Sequence, residues 1–289
     1  MRDDEMLARG GRWAVRLERH LAHPVDAVWR AVTEPAQLAQ WFPTTVELDL
    51  VVGGAVRFGL PADGPGGRVL ELDPPRLLAF SWQDDVLRFE LEPDGAGTRL
   101  VLLHTFDDRA GGASFGAGWQ HCLAALAPVL DGAAPPPASR MVAEHERLVA
   151  RFGLDRPEVT ETADGWTVRF ERQLTCPAEV AWDLFLGAGA PEPPQPEVGR
   201  SLRAPGAEDV LGTVTEVARP RLLAFDTAPE EPGDSVRLEL GEGTGHGARL
   251  LFVVHGSVPA ERDAAADRWG PGGVEHVAAL GAAWALARA

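Results

Sequence analysis

The alternation of apolar and polar residues predicts strands and helices in a fixed order along this chain. Trp13, Val15 and Leu17 alternate with Arg16 and Glu18, which is the period-two pattern of a half-buried strand over 13–21. After Pro24, apolar side chains recur three and four residues apart, which predicts an amphipathic helix with the proline in its first turn. Short β-like runs separated by Gly, Pro and Asp follow, and they favour an antiparallel meander over parallel βαβ units.

A long helix is predicted to follow the meander, over 113–130. Phe115, Trp119 and Cys122 share one face of this segment with a run of leucines. A broad sheet and a long helix bury their apolar faces only against each other. The pattern therefore predicts an α+β fold in which the sheet packs on this helix.

The whole order of elements occurs twice. The sequence WAVRLER at 13–19 recurs as WTVRFER at 166–172, and PRLLAF at 75–80 recurs at 220–225. A period of about 150 residues is far longer than that of a stacked solenoid. The chain of 289 residues therefore contains two copies of one domain.

The junction between the copies is rich in proline. Ser139 is positioned to cap a helix that ends before Gly153, and we assign this helix to the first domain. The predicted segments are a first domain at 11–153 containing a Pro-rich loop at 133–139, a linker at 154–162, and a second domain at 163–289.

Charge and cysteine content narrow the classes of partner. The net charge is −16 and both halves are acidic, so the basic surface that binds nucleic acid or an anionic membrane is missing. No apolar run is long enough for a membrane span, and the N-terminus has no secretory signal. Cys122 and Cys176 lie in different halves and suggest neither a disulfide framework nor a zinc site. We therefore expect a cytoplasmic protein.

Several motifs of the first copy resemble the bacterial homologues of the activator of the heat-shock-protein ATPase. They are Pro24 to Trp29, Trp41-Phe42-Pro43, Val52-Gly53-Gly54 leading to Arg57-Phe58, Pro75 to Leu78 leading to Trp82, Leu103-His104, and Gly118-Trp119. The resemblance implies the START-like helix-grip fold, in which a curved antiparallel sheet wraps around a long C-terminal helix and encloses a cavity. The resemblance is weaker over 166–288. The stretch 187–199 stands there in place of the Trp41-Phe42-Pro43 and Gly53-Gly54 motifs, so we expect the second copy to have lost or rebuilt its pocket mouth.

The candidate site residues are the aromatic and polar side chains that the resemblance brings to this cavity. His104 shares a strand face with leucines, as a core histidine or a catalytic base would. Arg57 and Arg88 lie on predicted strands, where they would hold a carboxylate or phenolate if buried and would have no such role if exposed. The aromatic candidates are Trp41, Phe58, Phe80, Trp82 and Trp119.

Two glycine-rich strings and the histidines carry weaker chemical signals. The GxSxG string at 112–116 lacks the parallel α/β setting of a serine nucleophile and fits a helix entry instead. The segment 243–248 precedes a strand, so it is expected to be a hairpin loop and not a dinucleotide site. The histidines show no metal-ligand spacing. We expect no metal and no cofactor.

These features favour a first domain that binds a small hydrophobic ligand, with aromatic compounds among the candidates, and a second domain that supports, caps or regulates it. One alternative is a cyclase, aromatase or hydrolase that uses His104 on a polyketide-like substrate. Another is a co-chaperone-like interaction module with a chaperone partner, as the family name implies. Contact between the two domains is a further candidate interface.

Overall fold

The computed structural model describes residues 4–59, 66–135, 141–187, 195–204, 209–245 and 247–288. The chain divides into two compact units, Met1–Met141 and Val142–Ala289. Each unit has one antiparallel sheet packed against helices. The predicted α+β class with two tandem helix-grip domains is therefore confirmed.

The described residues of the first unit form eight strands and three α-helices. Its strands are β1 Glu5–Arg9, β2 Arg12–Leu21, β3 Val46–Leu48, β4 Ala55–Phe58, β5 Gly67–Asp73, β6 Leu77–Trp82, β7 Asp85–Asp94 and β8 Gly97–Phe106. Its helices are α1 Val25–Thr33, α2 Pro35–Leu38 and α3 Gly112–Leu130. The sheet order is β1-β2-β8-β7-β6-β5-β4-β3, so β2 crosses over to pair with β8.

The core of the first unit lies between the sheet and α3. Leu17 on β2 and Leu102 on β8 face each other across the strand pair, and both are fully buried. The apolar face of α3 covers them, with Leu123 and Leu126 buried. The apolar faces that the strand alternation and the helical period of α3 predict therefore pack against each other in one core.

The second unit repeats this arrangement, with seven strands among its described residues. They are β9 Glu158–Thr162, β10 Gly165–Gln173, β11 Ser201–Arg203, β12 Val210–Ala218, β13 Leu222–Thr227, β14 Ser235–Glu242 and β15 Ala248–Gly256, in the order β11-β12-β13-β14-β15-β10-β9. Its helices are α4 Val142–Phe152, α5 Ala178–Phe185, α6 Arg262–Trp269 and α7 His276–Leu286. The predicted hairpin loop falls between the end of β14 at Glu242 and the start of β15 at Ala248, and His246 of this loop lies outside the described residues.

The long C-terminal helix of the second unit is interrupted. A π-helical segment, Gly270–Glu275, separates α6 from α7. Pro271 has no amide hydrogen for the regular helical bond, and three glycines surround it. The first unit has a continuous helix at this place, so the two copies differ in the element that borders the cavity.

The position of α4 differs from the predicted domain boundary. The sequence assigned this helix to the first domain, but it packs on α7 of the second unit through Val142, Ala282 and Ala285. The guanidinium of Arg172 on β10 donates hydrogen bonds to Glu146 on α4. The predicted end of the helix before Gly153 is confirmed, with φ +63° at this glycine. Ser139 lies outside the described residues.

Candidate functional site

A pocket of about 330 Å³ opens in the first unit between α3 and the ends of β6, β7 and β8. Three of the predicted site residues, Trp82, His104 and Trp119, line it. The other lining residues are Pro43, Gln83, Asp85, Ser114, Phe115, Gly118 and Cys122. The walls are mostly apolar, and few polar groups interrupt them, which is typical of sites for small organic ligands.

A chain of hydrogen bonds crosses one wall of the pocket. The indole Nε1–H of Trp119 donates to Nδ1 of His104 at 3.0 Å, and Nε2 of His104 lies 2.9 Å from Oδ2 of Asp85. Because an indole nitrogen only donates, Nδ1 must accept and must carry no proton. His104 is therefore the neutral tautomer with its hydrogen on Nε2, and that hydrogen is donated to the Asp85 carboxylate.

The arrangement leaves no ring nitrogen of His104 facing a ligand. Asp85 occupies one nitrogen and Trp119 the other, and the imidazole itself is 4% exposed. Ser114 lines the same pocket from the first turn of α3, but the nitrogen that would take its proton already accepts from Trp119. The geometry therefore orients these side chains without forming a Ser-His nucleophile.

The electrostatic character of the pocket is acidic. Of the described residues that line the pocket, Asp85 is the one carboxylate and none is an arginine. Nη2 of Arg12 lies 3.6 Å from Oδ1 of Asp85, whereas its shorter bonds go to Asp107, at 2.6 and 3.1 Å. The hydrogen bond to Asp107 raises the pKa of the Arg12 guanidinium against the effect of burial, and Asp85 and Asp84 add to the rise.

Aromatic rings form a continuous layer behind the pocket. Trp82 lies between Phe58, stacked at 4.9 Å between centroids, and Trp119, edge-on at 6.4 Å. Phe42 contacts both tryptophans, at 5.5 and 5.3 Å. Phe115 packs edge-on against His104 at 4.6 Å. These contacts fix the ring orientations, so the pocket is formed before any ligand enters.

Gly118 leaves space in the pocket that a side chain would fill. It lies inside α3, where glycine is less favourable than alanine by about 0.5–1 kcal/mol. A Cβ placed on it would meet no atom within 4 Å, so no packed neighbour requires glycine here. The missing side chain instead keeps open the volume that Gly118 lines.

The thiol in the pocket is held in its neutral form. Burial raises the pKa of Cys122 to about 11, so the thiolate that would act as a nucleophile is scarce at neutral pH. Among the described residues, no three His, Cys, Asp or Glu side chains come together as a metal site requires.

Trp41 and Phe80 lie in the core beneath the pocket. Trp41 donates its indole hydrogen to the backbone oxygen of Ala31 at 2.9 Å, and Phe80 is 1% exposed. Arg57 lies at the surface and pairs with Asp49 at 3.2 Å. The structure therefore does not place Arg57 where it would contact a ligand in this pocket.

Arg88 belongs to a cross-strand ion-pair cluster that both units contain. Its guanidinium binds Glu90 on its own strand and Glu71 on β5. In the second unit, Arg237 binds Glu239 and Glu216 in the same way, at 2.6 and 2.7 Å. A β-bulge precedes the more distant glutamate in both sheets. This recurrence indicates that Arg88 stabilises the sheet and does not bind a ligand.

The sequence prediction did not include Asp85 among the site residues. It interpreted Asp84-Asp85 as turn punctuation, although Asp85 begins β7 and shares a face with Leu87, the partner of His104. Side chains two residues apart on a strand lie on the same face, so counting back along β7 from Phe89 through Leu87 would have placed Asp85 on the face of the pocket. Phe115 and Cys122 were assigned only to the apolar helix face.

The second unit keeps the tryptophan of the pocket wall but not the histidine. Val254 occupies the strand position of His104, since each pairs with the equivalent residue of the preceding strand. Trp269 occupies the position of Trp119, each being the eighth residue of its helix (α6 and α3), and its Nε1 donates to the backbone oxygen of Pro232 at 3.1 Å. A cavity of about 220 Å³ in this unit is lined by Leu184, Phe185, Ala204, Leu211, Arg268, Trp269, Gly272, Gly273, His276 and Val277. Its one arginine, Arg268, is bound by Glu231.

Fold and pocket together define the first unit as a helix-grip domain with a small, mostly apolar cavity. Residues 22–131 match the family described as "Activator of Hsp90 ATPase homolog 1-like protein". The resemblance drawn from the sequence is thereby confirmed for the first copy. No curated protein matches the chain.

Solved structures similar to this chain come from several bacteria. The conserved protein of unknown function EF2215 from Enterococcus faecalis is 24% identical, with 51% of this chain and 89% of that one covered and a TM-score of 0.46. CalU16 from Micromonospora echinospora is 24% identical, with coverages of 53% and 95% and a TM-score of 0.44. The protein encoded by BPP1335 from Bordetella parapertussis is 29% identical, with coverages of 51% and 90% and a TM-score of 0.40.

Proposed function

We propose that the first domain binds a small, mostly apolar ligand, of which aromatic compounds are the best-fitting class, in the pocket beside α3. The observation that carries this proposal is Gly118, an internal helix glycine whose missing side chain no neighbouring atom requires. Two further features support it: the preformed aromatic walls, and the hydrogen bonds that run from Trp119 through His104 to Asp85. The protein would act as a carrier, a sequestering protein or a sensor.

Thermal unfolding with and without naphthylmethanol, a neutral aromatic probe, tests the proposal. We expect saturable binding that raises the melting temperature, because a ligand of the native state stabilises it by mass action. Gly118→Leu should fill the pocket, reduce binding at least about tenfold and leave the fold intact. Gly118→Ala is the matched control, which should keep binding and gain up to about 1 kcal/mol of stability.

Either of two results would contradict the proposal. In the first, naphthylmethanol and related apolar probes give no saturable shift in the wild-type protein. In the second, Gly118→Leu binds the probe as tightly as Gly118→Ala does, which would place the ligand outside this pocket.

Binding is proposed in preference to turnover because of the state of His104. Its two ring nitrogens are engaged by Asp85 and Trp119, so a general acid–base step would first have to break one of these bonds. The cyclase, aromatase or hydrolase alternative and the chaperone partner stay predictions from the family resemblance. In the described part of the chain, no helix is long and apolar enough to cross a membrane.

A further inference from the structure

We infer that the pocket of the first domain selects apolar or aromatic ligands that carry a hydrogen-bond donor, above all a protonated amine, and discriminates against carboxylates. This inference rests on the proposed function, since it specifies the ligand class of the same pocket. It follows from three features of the pocket: the Asp85 carboxylate, the missing cation and the aromatic faces.

The carboxylate of Asp85 faces the pocket with acceptor capacity to spare. Its side chain is 27% exposed, and His104 is the one side chain in the described part of the protein that lies within hydrogen-bond distance of it. The contact to Arg12 is longer, at 3.6 Å, and bonds to Asp107 hold that guanidinium. An ionised carboxylate has about four acceptor positions, so a ligand donor has room to bind beside the imidazole.

Among the described residues that line the pocket, none is a cation that could receive an anion. His104 is neutral, because the indole hydrogen of Trp119 requires an unprotonated Nδ1. The nearby Arg12 guanidinium interacts with three carboxylates, those of Asp107, Asp85 and Asp84. A ligand carboxylate would therefore lose its hydration next to a net negative cluster without gaining a partner, which is unfavourable.

The aromatic side chains suit a cation as well as an apolar body. Trp82, Phe115 and Trp119 line the same cavity as Asp85. Ring faces attract an ammonium group, and tryptophan attracts it most strongly. A ligand with an aromatic body and a short alkylamine can therefore place its ring against these walls and its amine at Asp85.

The second unit provides an internal contrast. Val254 stands where the first unit has His104, and Trp269, at the position of Trp119, donates its indole hydrogen to Pro232 instead, so the chain of hydrogen bonds differs there. Asp234, which directly precedes β14, occupies the position of Asp85, and it is not among the described residues that line the second cavity. Removing the charge of Asp234 therefore matches the change at Asp85 without touching the first pocket.

Three probes of one body and different head groups test the inference by isothermal titration calorimetry. They are naphthylmethylamine, naphthylmethanol and naphthylacetate, which are cationic, neutral and anionic at neutral pH. We expect the amine to bind at least about tenfold more tightly than the acetate, with the alcohol between them. Asp85→Asn should bring the affinities for amine and acetate within about threefold, and Asp234→Asn should leave their ratio unchanged.

The outcomes separate this inference from the proposed function. If the alcohol binds but the acetate binds as tightly as the amine, the pocket binds ligands and the inference is wrong. An unchanged ratio in Asp85→Asn would also overturn it. If none of the three probes binds, the proposed function fails and the inference fails with it. Should Asp85→Asn not fold, the wild-type ratio of amine to acetate decides alone.

Discussion

At the scale of single residues, the orientation of His104 depends on two neighbours of different chemistry. Trp119 supplies a donor to Nδ1 and Asp85 supplies an acceptor for Nε2–H. Exchanging the tautomer would set two donors against each other at Nδ1 and would leave no hydrogen at Nε2 for the carboxylate. These two hydrogen bonds therefore fix the tautomer of the imidazole and the orientation of the indole ring that lines the pocket.

Replacing Trp119 by Phe is expected to lower the free energy of unfolding by about 1–3 kcal/mol, because Nδ1 of the buried His104 loses its donor. Urea unfolding followed by circular dichroism measures the change. Trp284→Phe in the second unit is the control, since that indole is partly exposed and stacks under Arg288. Equal losses in the two variants would contradict a special role for the bond to His104.

Both cysteines are expected to resist alkylation in the folded protein. Burial raises the pKa of Cys122 and that of Cys176 from 9.0 to about 11, which lowers the thiolate fraction about a hundredfold at neutral pH. Mass spectrometry after treatment with iodoacetamide should show slow labelling at about pH 7.5 and rapid labelling in denaturant. Labelling of the native protein at the rate of a small free thiol would contradict this prediction.

At the scale of elements, the two sheets share features that stabilise strands and differ in those that form the pocket. The clusters around Arg88 and Arg237 recur with the same partners and the same bulge. His104 and Val254, in contrast, occupy equivalent positions with different chemistry. Comparison of the two copies thus distinguishes residues that stabilise the fold, which recur, from residues that form the pocket of the first unit, which do not.

Arg88→Met should lower the free energy of unfolding by no more than about 1 kcal/mol, since both glutamates are solvent-accessible and exposed ion pairs contribute little. Arg237→Met in the second unit should have a similar effect. Neither substitution should change the affinity for naphthylmethanol, measured by calorimetry. Loss of binding in Arg88→Met alone would return this residue to the ligand site.

Sequence patterns predicted these elements closely and the site only in part. Helix α3 and strand β2 lie within one residue of their predicted bounds, because amphipathic periods depend on burial alone. Which residues belong to the site depends on which positions of neighbouring strands pair with each other. That register is not local, so Asp85 looked like a turn residue and Arg57 looked like a ligand candidate.

At the scale of the whole chain, α4 shows where the junction of the two copies lies. Arg172 is 2% exposed, and it donates hydrogen bonds to Glu146 on α4 and to Glu275. A buried arginine is strongly destabilising if its partners are removed. Nothing in the residues of α4 alone indicates which unit the helix packs on, because its apolar face fits either one. The bond from the buried Arg172 on β10 holds α4 in the second unit.

The stability of the second unit is expected to fall in acid partly through Glu146. Burial raises the pKa of this carboxyl, but bonds from His145 and Arg172 outweigh that effect and bring it below 4.5. Its contribution is therefore complete above the unfolded value of 4.5 and is lost as the pH falls through the folded pKa. Urea unfolding of Glu146→Gln between pH ~7 and ~3 should show a weaker acid dependence than the wild type. Identical acid dependence would contradict this prediction.

The central claim, that the first domain binds a small ligand beside α3, is tested most directly by the indole signals of the nine tryptophans in a nitrogen-15 correlation spectrum. Single Trp→Phe variants assign the signals, and naphthylmethanol is titrated into the wild-type protein. The account predicts saturable shifts of Trp82 and Trp119, with Trp182 and Trp284 of the second unit unmoved. Unchanged signals from Trp82 and Trp119 at saturating probe would contradict it.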